Sequence, residues 1–245
     1  MSYGNEEDWS EWGDEWASTN RPKLFVSVSG GRTSMFMARI AQETYSHNHD
    51  IQYVFANTGM ESNETLDFVH QCDQRWGLGV VWLEAKFYSG KRKTGFKIVS
   101  YETAKRWGDW RNGSPYESMI EKYGIPNTSY PHCTRELKLA PMYSYINSLW
   151  GKGKGNYSVM VGIRADEQER CAKGAYWQGI IYPLVNMGYT KADVNAFWRE
   201  QDFDLGIPDY KGNCINCWKK SFGKLATVNA EMPDAFNFIR HMEEK

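Results

Sequence analysis

The stretch FVSVSGGRTSMFMARI, residues 25–40, decides how the chain is read. It opens as a β-like run, breaks at two adjacent glycines and restarts with helical spacing, Met35, Ala38 and Ile40/Ala41 facing inward. Gly30 and Gly31 are free to take positive φ, so the backbone can turn tightly there. The first turn of the helix leaves N–H groups without intrahelical partners. With the hydroxyls of Ser29, Thr33 and Ser34 they make a donor set suited to an anion. The segment has neither the GK(S/T) ending of a Walker loop nor the spaced glycines of a dinucleotide fold. A glycine pair between strand and helix is also an ordinary turn, so the neighbouring segments carry the decision.

Outward from this segment the chain keeps alternating. IQYVFANTG and VVWLEAKF have the composition of buried strands, NETLDFVHQCDQRW between them has helical spacing, and NYSVMVGIRADE is a further strand ending in a polar loop. Such alternation predicts an α/β fold, a three-layer and mostly parallel sheet with helices on both faces and ligands beyond the carboxyl ends of its strands. Residues 88–131 are rich in Gly, Pro, Asn and basic residues and are expected to form an irregular lid or insertion. From it Lys91, Arg92, Lys93 and Lys97 could close over a polyphosphate. A helix is expected from Thr134 with a bend or break at Pro141, and another starts at Thr190, with Asp193 completing its cap.

The chain of 245 residues is 41% hydrophobic and 24% charged, enough for one sizeable core. Three parts are expected: an acidic arm 1–20, a main domain 21–225 and a C-terminal helix 226–245. Trp9, Trp12 and Trp16 would share one helix face of the arm, which is expected either as a flexible tail or as an arm docking its tryptophans on a basic groove of its own chain or a partner. The first 20 residues hold six acids and no base, leaving 29 Lys and Arg against 24 Asp and Glu in the rest. That excess points to an anionic ligand. No apolar run approaches the roughly 20 residues of a membrane span, and the amino terminus is not basic-then-apolar. No membrane partner is therefore expected, and a reducing cytoplasm is the expected location. Five cysteines suit free thiols or metal ligands better than a disulfide framework.

In its order of motifs the chain resembles the phosphoadenosine phosphosulfate (PAPS) reductase family of the PP-loop ATP pyrophosphatase superfamily, over roughly residues 23–225. SGGRTS stands where that family has SGGxDS, and ANTGMESNETLDF where it has DTG…ET. GIRADEQER resembles its GxRxxxSxxR block, and PLVNMGYTKADVNAFW its PL…DVWxYL segment. The resemblance implies an adenine nucleotide alpha hydrolase-like fold and an adenine nucleotide ligand: ATP, PAPS or adenosine phosphosulfate (APS). The implied phosphate or sulfate cradle is Ser27, Ser29, Gly30, Gly31, Arg32, Thr33 and Ser34. Asn57, Thr58, Gly59 and Glu64 would hold the adenosine side, and Gly162, Arg164 and Arg170 the far rim. Arg164 is the expected charge-stabilising residue, since an arginine there can fork onto phosphate oxygens. Thr33 replaces the family's aspartate, which bears on any Mg2+ accompanying ATP.

Cys214 and Cys217 form a C-x-x-C in GNCINC, and Cys133 lies 80 intervening residues earlier in YPHCTRELK. Assimilatory sulfonucleotide reductases with an iron–sulfur cluster look similar, with Cys-Cys, about 80 residues and then C-x-x-C. Here His132 replaces the first cysteine. Three thiolates with His132 or Cys171 could bind tetrahedral zinc, and three with an open iron could bind a 4Fe–4S iron–sulfur cluster; three plain reduced thiols are the simpler reading. Cys72, on a helix face, is expected in the core. No cysteine follows Cys217, so the tail nucleophile that the resemblance implies for sulfonucleotide reduction is missing from this sequence. The expected function is ATP α–β cleavage coupled to sulfur transfer, with tRNA or DNA as candidate acceptors and Cys133 at the reacting centre. The alternatives are a thiol-dependent PAPS/APS reductase and a nucleotide-sequestering protein without turnover.

Overall fold

A computed structural model describes residues 21–91, 93–109, 113–153, 155–208 and 210–245. The arm with Trp9, Trp12 and Trp16 and the lid residue Arg92 lie outside the described residues.

Strands β1 (Lys23–Val28), β2 (Asp50–Asn57), β3 (Val81–Phe87), β4 (Thr94–Val99), β5 (Ser158–Val161) and β6 (Ile180–Ile181) form one sheet ordered β4-β3-β2-β1-β5-β6. All pairs are parallel except β3–β4. The antiparallel edge follows from the short connection 88–93, which has no room for a helical crossover. Residues 88–131, expected as an irregular insertion, therefore contribute β4 to the sheet, with Lys97 opposite Glu84, and a helix α3 (Pro115–Tyr123).

Strand side chains alternate between two apolar layers, as they must when both faces of a sheet are covered. Leu24, Val26, Val28, Tyr53 and Phe55 pack against α1 (Arg32–Tyr45), α2 (Asn63–Trp76) and Trp198 of α6 (Lys191–Arg199). Phe25, Val54, Ala56 and Leu83 pack against Met142 and Ile146 of α4 (Ala140–Trp150). Cys72 is fully buried in the first layer, as expected. The helix expected from Thr134 begins as a π-helical turn, Thr134–Leu139, and becomes α4 around Pro141. Proline has no N–H to give the ladder, which is where a helix changes its hydrogen-bond pattern.

The expected cap of α6 is present: the Asp193 carboxylate accepts from the Thr190 N–H at 2.8 Å and from its hydroxyl at 2.7 Å. A four-residue helix, α5 (Pro183–Asn186), precedes it. The carboxyl-terminal part is two helices, α7 (Phe222–Glu231) and α8 (Asn237–Glu244), where one was expected from 226. Met232 and Pro233 interrupt them, Pro233 opening a 3-10 turn. No helix among the described residues is long and apolar enough to cross a membrane.

The chain runs from β1 outward through β2, β3 and β4, then returns to the other side of β1 as β5. The carboxyl ends of β1 and β5 are thus the switch point of the sheet, where open α/β folds leave a crevice.

Candidate functional site

The glycine loop leaves β1 at the switch point. Gly30 takes φ +80°, and a Cβ there would stand 2.6 Å from Thr65 Cγ2, so only glycine fits. The loop is laced internally. The Ser34 hydroxyl accepts from the Ser29 N–H at 3.1 Å and lies 3.0 Å from the Ser29 hydroxyl, while it donates to the Gly31 carbonyl at 2.9 Å. No side chain caps α1, and no acid occupies its first turn. The amino end of the helix dipole therefore faces the crevice without a competing carboxylate of its own.

Gly162, after β5, lets the two rims close up, since a Cβ there would lie 3.2 Å from Ser34 Cα. Arg164 then reaches across, its Nη1 donating to the Thr33 hydroxyl at 3.2 Å. Its other face is held by Asp166 at 2.9 Å and Glu167 at 3.3 Å, so the guanidinium is pre-oriented. Arg164 in turn holds the Asp166 carboxyl below the usual carboxylate range. Gly31, Thr33, Arg164, Lys191 and Asn213 line a pocket of about 200 Å³.

Other residues expected in the cradle have other duties. The Arg32 Nε donates to Asp204 at 2.6 Å, and the Arg32 carbonyl accepts from the Trp198 indole at 3.0 Å, which fixes the start of α1 from the α6 side. Ser27 faces Met142 within the sheet. Arg170 is exposed and pairs with Glu167 at 2.6 Å. Glu64 is exposed in the first turn of α2. Asn57 and Thr58 are buried and spend their side chains internally. The Asn57 amide donates to Glu84 at 2.9 Å and to the Lys105 carbonyl at 2.8 Å. The N–H and hydroxyl of Thr58 donate to Glu61 at 2.9 and 2.7 Å. Gly59 follows them with its N–H 3.3 Å from the Asn57 side-chain oxygen. The acid at this rim is thus the fully buried Glu61, three residues before the one the motif pointed to.

Glu61 leads to the thiols. Cys133, Cys214 and Cys217 line a cavity of about 110 Å³ together with Thr58, Tyr116 and Lys138. The Lys138 ammonium is 3.4 Å from the Glu61 carboxylate, and the Cys214 sulfur 3.7 Å from it. Burial alone would lower the Lys138 pKa, but its interactions with Cys214 and with the Glu61 carboxylate outweigh burial and hold the lysine protonated. Burial, then the Glu61 carboxylate, pushes the Cys214 thiol up to about 12. Burial, then the Cys133, Cys214 and Cys217 sulfurs, raise the Tyr116 pKa, and Tyr116 lines the same cavity as the three thiols. Phe238 and Met242 of α8 belong to the apolar cluster on which Cys133 and Cys214 pack.

The donor chemistry of this cavity, three sulfurs beside a fixed positive charge, fits a thiolate-bound zinc ion or iron–sulfur cluster. Among the described residues, however, no group of three or more His, Cys, Asp or Glu side chains stands at coordinating spacing. His132 does not join the thiols: its Nε2 lies 2.9 Å from the Gly124 carbonyl. Cys171 is half-buried at the end of a 3-10 turn beside Arg170. Lys138, Tyr116, Glu61 and Asn213 were missed by sequence reasoning. Only the proximity of Asn213 to the C-x-x-C and of Lys138 to Cys133 could have flagged two of them.

No family model matches the chain. The uncharacterized nin region protein ORF290 of Escherichia phage lambda is 34% identical over 201 residues, covering 82% of this chain and 67% of that protein. The uncharacterized protein MJ0066 of Methanocaldococcus jannaschii is 21% identical over 236 residues, and the chain spans 42% of its length. Among solved structures, phosphoadenylyl-sulfate (PAPS) reductase from Candida auris aligns at 17% identity with a TM-score of 0.45, over 76% of each chain. The U34-tRNA thiolase NcsA from Methanococcus maripaludis, with its 4Fe–4S cluster, aligns at 16% identity with a TM-score of 0.46, over 92% of this chain and 72% of that one. On the extent and identity of its match to ORF290, the chain belongs to the same family as that nin region protein of Escherichia phage lambda.

Proposed function

We propose that the protein is a PP-loop enzyme that binds an adenine nucleotide on the glycine loop, cleaves ATP between its α and β phosphates, and uses the thiol cavity to deliver sulfur to an adenylated acceptor. The observation that carries this reading is the adjacency of the two cavities. Gly212 and Asn213 line the pocket at the glycine loop, and Cys214, Asn216, Cys217, Trp218 and Lys219 line the thiol cavity. In the reaction, an acceptor oxygen attacks the α phosphorus and pyrophosphate leaves; hydrosulfide supplied from outside the protein then attacks the activated acceptor atom, and AMP leaves with the acceptor oxygen. The amino end of α1, the Thr33 hydroxyl and the charges of Arg164 and Lys191 would take up the negative charge that grows on the leaving pyrophosphate, a preorganised electrostatic role. Cys133, Cys214 and Cys217 would hold the zinc ion or iron–sulfur cluster, with Lys138 offsetting thiolate charge; when bound, that group would supply a position for sulfur. tRNA and DNA are the candidate acceptors. Incubation of labelled ATP with the protein and each acceptor should release AMP and pyrophosphate. Failure of ATP and of PAPS to bind at millimolar concentration would sink the reading.

One contact favours a second reading, a protein that holds its nucleotide without turnover. Thr33 stands where an acid would help seat Mg2+, and its hydroxyl is already engaged by Arg164. Turnover in Thr33→Asp but not in the native chain would support this reading, and robust native turnover would remove it.

A further inference from the structure

Asn213 stands between the two cavities and is bonded to both walls. Its Nδ2 donates to the Ser29 carbonyl at 2.7 Å, where β1 hands over to the glycine loop, and its Oδ1 lies 3.4 Å from the place a Gly31 Cβ would take. Its own carbonyl accepts from the Ser62 N–H at 3.2 Å. The next residue, Cys214, forms a β-bridge with Glu61, and the Ile215 N–H donates to the Met60 carbonyl at 3.1 Å. The cysteine loop is therefore pinned on one side to the segment after β2 and on the other, through this one amide, to the glycine loop.

We propose that Asn213 is a positioning residue that couples nucleotide phosphate on the glycine loop to the seating of the cysteine loop, residues 212–217. The proposal rests on the adenine-nucleotide reading above. In the conformation present, the Ser29 carbonyl accepts from Asn213 while the following helix begins with no side-chain cap on its N–H groups. An anion that favours this conformation therefore favours the seated cysteine loop, since a ligand shifts an equilibrium by its difference in affinity for the two states. Coupling of this kind is reciprocal: whatever fixes the cysteine loop raises nucleotide affinity by the same factor.

The test is hydrogen exchange read by mass spectrometry on the full chain as purified, with and without saturating ATP, beside a calorimetric binding measurement. In the native protein, ATP should slow exchange in peptides spanning 212–217 by about fivefold or more, the lower end of ordinary coupling between sites. In Asn213→Ala and in Asn213→Asp, which keeps the size but turns the donor into an acceptor, the slowing at 212–217 should disappear. Slowing at 29–35 should remain, and ATP affinity should fall by the same factor. If 212–217 is protected equally in the variants, or is unprotected in a native chain that binds ATP, the coupling is overturned and the nucleotide reading survives. If calorimetry finds no ATP binding to the native chain, both fall. Should neither variant fold, the native chain alone decides, because absence of protection at 212–217 on ATP binding overturns the proposal.

Discussion

Arg164 and Thr33, 131 positions apart, meet across the switch point of the sheet, the guanidinium Nη1 donating to the threonine hydroxyl at 3.2 Å. The contact joins the loop after β5 to the first turn of α1. It places a positive charge, only 15% exposed, beside the uncapped amino end of that helix. A phosphate entering the crevice meets the helix donors and the arginine together, and the hydroxyl can switch from accepting to donating.

Replacing Arg164 should therefore act on binding. Hydrogen bonds to charged groups contribute about 1.5–3 kcal/mol, so Arg164→Ala should weaken ATP affinity by roughly tenfold to a hundredfold. Arg170→Ala, whose side chain is exposed and pairs only with Glu167 among the contacts described, should change it little. Calorimetric titration of both variants with ATP checks the contrast, and equal losses would contradict it.

Gly30 combines φ +80° with 2.6 Å from a virtual Cβ to Thr65 Cγ2. Gly30→Ala should cost about 1–3 kcal/mol from backbone strain and the clash, lowering the unfolding temperature by several degrees. Thermal unfolding followed by circular dichroism reads this directly. A matching loss of nucleotide affinity is expected, since the loop cannot keep its shape.

Anaerobic purification with absorption spectroscopy and metal analysis tests the thiol cavity. Cys133→Ser, Cys214→Ser and Cys217→Ser should each strongly lower bound iron or zinc, while Cys171→Ser should not. Lys138→Met removes the positive charge beside the sulfurs and should weaken metal retention by about 10–100-fold, as loss of outer-shell partners does. Unchanged metal content in all three cysteine variants would place the metal elsewhere or nowhere.

Tyr53 supplies a pH test in the core. Its hydroxyl is buried with no hydrogen-bond partner among the described residues, and burial raises its pKa well above the ordinary tyrosine value of about 10. The folded state thus favours the neutral phenol, whereas the unfolded chain can ionise it. Stability from this site is present below about pH 10 and is lost as pH rises beyond it. Tyr53→Phe should be neutral or stabilising at pH 7 and should flatten the alkaline decline in denaturant-measured stability. A decline as steep as that of the native chain would contradict the assignment.

Local pattern carried much of the fold. The periodicity of residues 25–40 marked β1, the glycine loop and α1, NETLDFVHQCDQRW coincided with α2, and Thr190 with Asp193 marked the start of α6, because each depends on residues within a turn or two of one another. The site was legible only in part. The resemblance pointed to the glycine loop, the segment after β2 and the cysteine loop, but in the second of these it picked exposed Glu64, whereas buried Glu61 is the acid beside the thiols. It also set His132 beside the cysteines, whereas its ring turns to Gly124.

What the sequence by itself determined is therefore the alternation of elements, the glycine loop and the three cysteines. What only the tertiary structure decided is which polar groups meet: Arg164 with Thr33, Lys138 with Glu61, Asn213 with Ser29, and β4 as a sheet edge within the expected lid. The physical reason is range. Helix and strand periods are set by neighbours in the chain, but a hydrogen bond across 131 or 184 residues exists only once the order of the strands has fixed which loop ends share a rim.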